Sequence, residues 1–389
     1  MWDMAHDVLI VADDLSGAAD CAVSFAVRGL YTEVVIEAPS GYVPSADVIA
    51  MDANTRHLPP LDAARETEQL VRAYGRRPWC FKKIDSTLRG NAAVEIAAAL
   101  RARRTIDHRA VAVVAPAFPA TGRTTLGGRQ HVGGRPLEET EHWSRERSEP
   151  DAHVGRMLER SGLSTALIDL ADVRRDPVHL HERLLERAAG RDALVCDAET
   201  DDDLQRIARA AARFSQSNVW AGSAGLAAFL PDAAALVGSR PRATAPPARG
   251  PILFVVGSPS TASRVQADTL AIENGVLTVA ADDFGAAERA LASGNDVLVR
   301  PTTTATAAAL ASVAALASGL VLTGGETARA LLTRMHVTSL VLVDEVERGV
   351  PRAFALMHNG APLPVVTKAG AFGDPQTLVR ARAALRNSR

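Results

Sequence analysis

The sequence predicts an α/β protein of two α/β domains, each with a mainly parallel sheet flanked by helices, joined by a Pro-rich linker. Short apolar runs alternate with longer Ala/Leu-rich stretches of helical periodicity along almost the whole chain, which is typical of βαβ units. One stretch, residues 239–251, interrupts this alternation with four prolines and no hydrophobic periodicity. A chain of 389 residues is also too long for one ordinary hydrophobic core.

The predicted elements follow in order along both halves of the chain. Strands of the first half are predicted at Val8–Ala12, Asp47–Met51, Trp79–Phe81, Val111–Ala115, Ala166–Ile168 and Ala193–Cys196. Helices are predicted at Ala18–Arg28, Ala63–Ala73, Ala92–Arg103 and Leu204–Phe214. Strands of the second half are predicted at Ile252–Val256, Leu277–Ala280, Val297–Val299, Leu320–Leu322 and Leu340–Val343.

These elements place the domain boundaries. The first domain covers residues 1–238, the linker 239–251 and the second domain 252–389. The stretch 121–150, rich in Gly, Arg and Glu, fits neither pattern. It is predicted to be an irregular excursion with a hairpin that turns at Gly133-Gly134.

Composition excludes several classes of protein. A net charge of -2 without basic runs argues against nucleic acid or a membrane surface as the main partner, and no apolar stretch approaches the ~18 residues of a membrane span. Cys21, Cys80 and Cys196 lack metal-site spacing, so we expect buried thiols rather than disulfides or zinc ligands. The acidic N-terminus does not resemble a signal peptide, and a cytoplasmic location is expected. The sequence leaves the assembly open, with a homo-oligomer as one alternative.

Polar residues follow several predicted strands, where open α/β sheets bind ligands. Asp13 and Asp14 follow the first strand and offer carboxylates for acid/base chemistry or hydroxyl binding, with simple helix capping as the alternative. Arg56 follows the second strand and has the geometry to clamp a carboxylate. The stretch 82–91, KKIDSTLRGN, follows the third strand and precedes a helix, which suits an anionic, hydroxylated ligand.

Lysine usage singles out two of these polar stretches. Of 43 Lys plus Arg residues only three are lysines, namely Lys82, Lys83 and Lys368. An ammonium is a compact point charge and a guanidinium a flat fork, so the two are not interchangeable at a tight site. We therefore interpret these positions as places where an ammonium meets an anion, with chance survival in an Arg-rich composition as the alternative.

The second domain carries glycine-rich loops between strands and helices. They include Gly257-Ser258, the stretch 322–328 (LTGGETA) and the stretch 367–373 (TKAGAFG). Such loops present backbone N–H groups to phosphates, although none matches the P-loop or the GxGxxG pattern. One domain for a small polyhydroxy acid and another for phosphates together indicate phosphoryl transfer to a hydroxyl.

In this order the motifs resemble those of the four-carbon acid sugar kinase family over nearly the whole chain. The matching motifs are DDLSGA from Asp13, KKIDSTLRGN from Lys82, PAFP from Pro116 with Gly122-Arg123, VGGRPL from Val132, Gly257-Ser258, TGGET from Thr323 and KAGAFG from Lys368. Three positions depart from the family pattern: Ser16 replaces a Thr, Ala369 a common Ser, and Ala371 a frequent Gly.

The resemblance implies an ATP-dependent kinase acting on the 4-hydroxyl of threonate, erythronate or a 3-oxo-tetronate. It implies acid-sugar contacts from one side-chain set: Asp13, Asp14, Arg56, Lys83, Ile84, Asp85, Ser86 and Arg89. It implies ATP contacts from a second set: Ser258, Gly324, Gly325, Glu326, Thr327 and Gly370, with Lys368 on the nucleotide side, either near the polyphosphate or only beside it. Mg²⁺ is expected with the nucleotide, and no side chain is assigned as its ligand.

The mechanistic hypothesis gives catalytic roles to Lys83 and to one of two carboxylates. Arg56 and Lys83 hold the acid, and either Asp14 or Asp85 accepts the proton of the attacking hydroxyl, while the two domains close to exclude water. Two other functions stay open. A sugar-acid sensor would bind ATP without transferring phosphate, and a nicotinamide-dependent dehydrogenase would require the GxGxxG loop that this sequence lacks.

Overall fold

The computed structural model describes residues 8–38, 42, 45–141, 143, 152–214, 217–356 and 361–387. The chain divides into two compact units, one formed by residues up to Asp13 with Asp47–Gly238, the other by Asp14–Ala46 with Ser239–Arg389. Both units are α/β, which confirms the predicted fold class. The N-terminal segment 1–7 and residues 144–151, most of which belong to the predicted excursion, lie outside the described residues.

The main sheet of the first unit is parallel throughout its described strands. In sheet order these are β3 (Val48–Asp52), β1 (Val8–Ala12), β4 (Trp79–Lys83), β11 (Val219–Gly222), β5 (Ala112–Ala115), β10 (Ala193–Cys196) and β9 (Thr165–Ile168). A small antiparallel sheet in the same unit contains β6 (Arg123–Leu126), β7 (Arg129–Val132) and β8 (Arg135–Pro136). The β7–β8 pairing confirms the hairpin predicted at Gly133-Gly134.

Helices surround this parallel sheet. They are α2 (Pro60–Tyr74), α3 (Ala92–Arg104), α4 (Val154–Arg160), α5 (Leu170–Val173), α6 (Pro177–Ala188), α7 (Asp201–Ala212), α8 (Ala224–Ala227) and α9 (Leu230–Ala233). Short 3₁₀ turns occur at Pro119–Thr121 and Leu137–Glu139. Every residue of β1 is buried and apolar, as expected for a parallel strand covered on both faces.

The sheet of the second unit is parallel in one part and antiparallel in the other. In sheet order its described strands are β13 (Val276–Val279), β14 (Asp296–Val299), β12 (Ile252–Val256), β15 (Gly319–Thr323), β18 (Pro362–Lys368), β17 (Val350–Leu356), β16 (Ser339–Glu347) and β2 (Thr32–Val35). The pairs from β13 to β18 are parallel, and the pairs from β18 to β2 are antiparallel. Its helices are α1 (Leu15–Val27), α10 (Thr261–Ala271), α11 (Phe284–Ala292), α12 (Thr304–Ala309), α13 (Ala311–Ala314), α14 (Gly325–Arg334) and α15 (Thr377–Arg386).

The segment Asp14–Ala46 groups with the second unit, whereas the sequence-based boundary places it in the first domain. Its strand β2 pairs with β16 in antiparallel register, Val34 opposite Leu340. The proline-rich stretch also belongs to the second unit: it contains neither helix nor strand, and Ala248 N–H donates to the carbonyl of Leu385 at 2.7 Å. Its role as an interdomain linker stays a prediction.

All three cysteines are free and buried, as predicted. Burial raises the pKa of the Cys80 thiol to about 11, so this thiol stays protonated and unreactive near neutral pH. Among the helices that the structure describes, none combines the length and the apolar character that crossing a bilayer requires.

Candidate active site

The first group of predicted site residues lies at the carboxyl ends of three adjacent parallel strands. β1 lies between β3 and β4, so the sheet order reverses direction at β1, the position where open α/β sheets form a ligand crevice. Asp13 follows β1, Arg56 lies in the loop after β3, and residues 84–91 follow β4. The sheet therefore brings the predicted substrate residues of this unit to one edge.

A buried ion pair joins Asp13 to Arg56. Arg56 Nε donates to Asp13 Oδ2 at 2.7 Å, and Asp13 is 2% exposed. The other carboxylate oxygen, Oδ1, is buried and has no hydrogen-bond partner among the described protein atoms. Burial raises the pKa of Asp13, but Arg56 and the ammonium of Lys83 outweigh it and lower that pKa below its ordinary value. Asp13 thus presents an ionised, unsatisfied acceptor, the group that a substrate hydroxyl needs.

Asp85, in contrast, has both carboxylate oxygens engaged by its own turn. Oδ2 accepts from the Thr87 N–H at 3.0 Å and from the Thr87 hydroxyl, and Arg89 adds Nε on Oδ2 at 3.1 Å and Nη2 on Oδ1 at 2.7 Å. Burial raises the pKa of Asp85, yet Arg89, Arg56 and Lys83 hold it well below its ordinary range. Leu88 adopts a positive φ of 60° inside this turn, a conformation that is strained for a branched side chain. Asp85 therefore organises the loop.

The two lysines of this stretch point to different surroundings, as their alternation along β4 predicts. Lys82 is fully buried, pairs with Glu95 Oε2 at 3.3 Å and donates to the carbonyl of Val11 at 3.3 Å. Lys83 Nζ donates to the carbonyl of Ile84 at 2.9 Å and acts electrostatically on Asp13. Lys82 is therefore fixed by partners on β1 and α3, whereas Lys83 bonds to its own loop, and both ammonium groups lower the pKa of Asp13.

Backbone groups hold two further predicted substrate residues, Ile84 and Ser86, while a third, Arg89, is held through its side chain. Ile84 is 1% exposed, and its N–H donates to the carbonyl of Gly222 at 2.9 Å, so its side chain is core. The carbonyl of Ser86 accepts from Gln130 Nε2 at 2.7 Å. Arg89 contacts Asp85, as described above, and is half exposed.

The second unit assembles the predicted nucleotide residues around the beginning of α14. Gly324 has φ 98° and, as the N-cap, has no side chain that could bond to the first N–H groups of α14. A Cβ on Gly257 would lie 2.0 Å from Thr327 Oγ1, so this close approach requires glycine. The hydroxyl of Thr323, directly before Gly324, is buried without a partner among the described atoms. This cradle fits a polyphosphate.

Ser258 and Gly370 meet beside this cradle. A Cβ on Gly370 would lie 1.9 Å from Ser258 Oγ, so the loop 369–372 contacts Ser258 only because residue 370 has no side chain. Glu326 lies in the first turn of α14. The structure thus brings Ser258, Gly324 and Gly370 together within the second unit.

Lys368 lies beneath that loop, where it contacts backbone. Its Nζ donates to the carbonyls of Ala369 at 3.0 Å, Gly370 at 3.1 Å and Phe372 at 3.0 Å, and the residue is 1% exposed. An ammonium has three donors, and these carbonyls occupy all of them. Burial lowers the pKa of Lys368 to about 8, against a smaller opposing effect of Glu347. Its predicted contact with the nucleotide stays untested, but this geometry leaves no donor for a phosphate.

Asp14 is grouped with the nucleotide loop of the second unit. Its Oδ1 accepts from Gly17 N–H at 2.8 Å and caps α1, the alternative weighed from the sequence. A Cβ on Gly325 would lie 2.7 Å from Asp14 Oδ2 and 3.2 Å from Ser16 Oγ. Asp13 and Asp14, adjacent in sequence, therefore belong to different units.

Several residues of the site escaped sequence reasoning. Glu95 neutralises Lys82, and its Oε1 accepts from the hydroxyl of Thr55; a carboxylate within the alanine-rich α3 was the available signal. Gly90 has φ 78°, and a Cβ there would lie 3.4 Å from Asp13 Oδ2; its place in the KKIDSTLRGN motif was the available signal. Arg123, in contrast, belongs to the Gly122-Arg123 motif singled out in the sequence, and its Nε is buried without a partner among the described atoms.

Comparison with known proteins matches both units to one family. Residues 8–230 match a family model described as "Sugar-binding N-terminal domain", and residues 281–378 match "Nucleotide-binding C-terminal domain". The chain is 39% identical to a D-threonate kinase of Cupriavidus necator, with 98% of each chain covered. It is 32% identical to a 3-oxo-tetronate kinase of Methylobacterium radiotolerans, with 95% of this chain and 97% of the relative covered.

A solved structure from Bordetella bronchiseptica, a domain of unknown function with bound citrate in a domain-swapped dimer, is also similar. It has 33% identity and a TM-score of 0.52, and the match covers 98% of this chain and 99% of the other. The two family models match in the predicted order, and the two kinases align with this chain over nearly their full length. These matches decide the assignment. The chain belongs to the four-carbon acid sugar kinase family.

Proposed function

We propose that this protein uses ATP to phosphorylate the terminal (4-) hydroxyl of a four-carbon acid sugar, namely threonate, erythronate or a 3-oxo-tetronate, in sugar-acid catabolism. One observation carries the proposal: Asp13 Oδ1 is a buried, ionised acceptor without a partner among the described atoms, at the strand edge where a ligand is expected. An unsatisfied buried acceptor costs free energy unless a ligand donor completes it.

The charge around Asp13 favours an anionic substrate. The cluster contains five cations and three carboxylates: Arg56, Lys82, Lys83, Arg89 and Arg123 against Asp13, Asp85 and Glu95. The pKa values of Asp13 and Asp85 are lowered, so both carboxylates are charged at neutral pH. The cluster thus has an excess of two positive charges, which suits a carboxylate and, after transfer, a phosphate ester.

Asp13 is the proton acceptor in the proposed reaction. Its Oδ1 accepts a hydrogen bond from the terminal hydroxyl and takes the proton as the hydroxyl oxygen bonds to the γ-phosphorus and the bond from that phosphorus to the ADP oxygen breaks. Arg56 holds the carboxylate in place through Oδ2. The sequence-based hypothesis named Asp14 or Asp85 instead; capping of α1 by Asp14 and the saturation of Asp85 favour Asp13 over both.

The nucleotide is proposed to bind at the start of α14. The glycine N-cap of α14, the hydroxyl of Ser258 and the tight approach of Gly370 support a polyphosphate there. Mg²⁺ with the nucleotide would neutralise phosphate charge. The described residues contain no group of three or more His, Cys, Asp or Glu side chains suited to a metal ion, so the phosphates would supply most of its ligands.

The relatives support the substrate class. They include kinases of D-threonate and of 3-oxo-tetronate, and the similar Bordetella bronchiseptica structure holds citrate, itself a hydroxylated carboxylic acid. That structure is a domain-swapped dimer, which is consistent with a homo-oligomer here. The dehydrogenase alternative has no support among these relatives.

An ADP-release screen tests the proposal. Purified protein is incubated with ATP and with each stereoisomer of threonate and erythronate and with 3-oxo-tetronates, with Mg²⁺ or with excess EDTA. We expect Mg²⁺-dependent ADP formation with at least one acid, and mass and phosphorus NMR spectra that identify a 4-phosphate. If the acids and ATP stabilise the protein against heat yet no ADP forms, the sensor alternative replaces the kinase.

A further inference from the structure

The backbone before Arg123 forms a loop that two hydrogen bonds close. It begins β6 directly after Gly122, whose φ is 72°. Its carbonyl accepts from Phe118 N–H at 2.8 Å, and its N–H donates to the carbonyl of Phe118 at 3.2 Å, so the loop is closed on itself. The Pro119–Thr121 turn fills that loop. A side chain that leaves such a closed turn has a fixed origin, as a ligand-binding group requires.

The guanidinium of Arg123 is engaged at one end only. Nη1 donates to the carbonyl of Thr121 at 2.6 Å, while Nε is buried and has no partner among the described atoms. Arg56 and Arg89 differ, since each already binds a carboxylate of the protein, Asp13 and Asp85 respectively. Among these three arginines, Arg123 is the one that forms no ion pair with a described carboxylate.

The β6–β7 hairpin fastens Arg123 to the edge of the substrate cluster. Thr125 Oγ1 donates to Gln130 Oε1 at 2.8 Å, and Gln130 Nε2 donates to the carbonyl of Ser86 at 2.7 Å. Burial lowers the pKa of Arg123, Asp85 raises it and Arg89 lowers it further, which agrees with a position beside the Asp85 turn. A partly buried guanidinium that lies next to another cation, with a buried Nε and no partner carboxylate, calls for an external anion.

We propose that Arg123 binds the carboxylate of the acid sugar and so sets the preference for acids over neutral polyols of the same length. This inference rests on the proposed function. It assigns the acid's carboxylate to Arg123, because Arg56, the candidate from the sequence, is committed to Asp13. A planar fork of N–H donors matches a carboxylate in two parallel hydrogen bonds.

The test compares Arg123→Gln with wild type in binding and kinetics. We expect the calorimetric Kd and the KM for the best acid both to rise, on the order of 10- to 100-fold. This is the effect of losing a charge-assisted pair of hydrogen bonds. The KM for ATP stays unchanged. The decisive readout is selectivity: the ratio of kcat/KM for the acid to kcat/KM for the corresponding tetritol, which lacks a carboxylate, falls by the same factor.

Matched variants separate recognition from folding. Arg135→Gln removes an exposed arginine of the same small sheet, one that bonds to the carbonyl of Glu139, and should leave both substrates unaffected. Arg123→Lys keeps the charge without the fork, so a partial recovery of acid binding is expected.

Three outcomes overturn the proposal. In the first, acid affinity is unchanged in Arg123→Gln. In the second, acid and tetritol lose kcat/KM equally, as a purely structural role would cause. In the third, kcat falls while acid affinity is kept, which would assign Arg123 to the transferred phosphoryl group. Calorimetry keeps the proposed function separate: acid binding that depends on Arg123 without any ADP formation refutes the kinase and leaves the carboxylate assignment standing.

Discussion

Replacing Lys368 by methionine tests whether this lysine positions the nucleotide loop or contacts the nucleotide. The Lys368 ammonium donates to the carbonyls of Ala369, Gly370 and Phe372. Methionine has similar length and no charge, so the substitution removes these three bonds with little change in volume. We expect a folded protein whose KM for ATP rises while its KM for the acid does not change.

The structure indicates why the variant should fold. Each carbonyl retains another donor: Ala369 accepts from Phe372 N–H at 3.2 Å, Gly370 from the hydroxyl of Ser260 at 2.6 Å, and Phe372 from Gln266 Nε2 at 2.9 Å. No buried acceptor is therefore stranded, which is what makes such deletions costly.

Losing the Lys368 ammonium should change the free energy of unfolding and the order of the loop by different amounts. Burial lowers the pKa of Lys368 from 10.5 to about 8, which corresponds to roughly 3 kcal/mol against the charged form in the folded protein. Removal of the charge offsets much of the loss of three hydrogen bonds, so the free energy of unfolding should change by at most about 2 kcal/mol. The loop 369–372 loses the ammonium that holds three of its carbonyls together. If ordering this loop for ATP costs as much as one hydrogen bond from a charged donor, about 1.5–3 kcal/mol, the KM for ATP should rise roughly 10- to 100-fold.

The assay combines ADP-release kinetics, calorimetric ATP binding and urea unfolding of Lys368→Met. Lys83→Met is the matched control, because Lys83 belongs to the substrate cluster of the first unit and its loss should raise the KM for the acid alone. An ATP KM within twofold of wild type would refute the positioning role. A collapse of kcat with unchanged ATP binding would instead place the ammonium on the transferred phosphoryl group.

Three further predictions concern single groups. Asp13→Asn should lower kcat by at least ~100-fold at unchanged ATP affinity if Asp13 is the base; steady-state kinetics with near-normal kcat would remove it from that role. Gly370→Ala should raise the KM for ATP more than about 10-fold, because its Cβ would lie 1.9 Å from Ser258 Oγ, whereas Gly285→Ala, on a helix of the same unit, should not. Between pH 8 and 10.5 the unfolded chain binds more protons at Lys368 than the folded protein does. The free energy of unfolding of wild type should therefore rise with pH relative to that of Lys368→Met. Urea titrations in which both proteins show the same pH dependence would contradict this.

Much of the parallel sheet could be predicted, because a strand covered on both faces is a continuous apolar run. Val8–Ala12 and Ile252–Val256 are such runs, and their observed bounds equal the predicted ones. Strands that break this rule were missed or shortened. β4 continues through two lysines to Lys83, since buried partners accept both ammonium groups. β18 contains prolines, which sequence patterns exclude from strand interiors.

The candidate site was predictable in its membership and less so in its roles. Strand ends identified Asp13, Arg56 and Asp85, because position along a βα unit is a local property. Which carboxylate oxygen stays unsatisfied depends on partners 43 positions away, as for the bond between Arg56 and Asp13. No local pattern distinguishes Asp85, whose carboxylate oxygens both have partners, from Asp13, which has one oxygen without a partner. The choice of base therefore depends on the three-dimensional structure.

The three lysines show the same limit: the sequence singled out their positions, but it did not disclose their bonding partners. Their rarity predicted contacts with an anion, yet each ammonium donates to backbone carbonyls: Lys82 to Val11, Lys83 to Ile84, and Lys368 to three residues of its own loop. A compact ammonium on a flexible stem can turn its donors toward carbonyl oxygens that converge on one point, whereas a guanidinium spreads its donors in a plane. Lysine therefore persists in this arginine-rich chain where a strand end must be tied to the loop that follows it. A buried arginine spreads its planar donors over separate carbonyls instead, as Arg103 does.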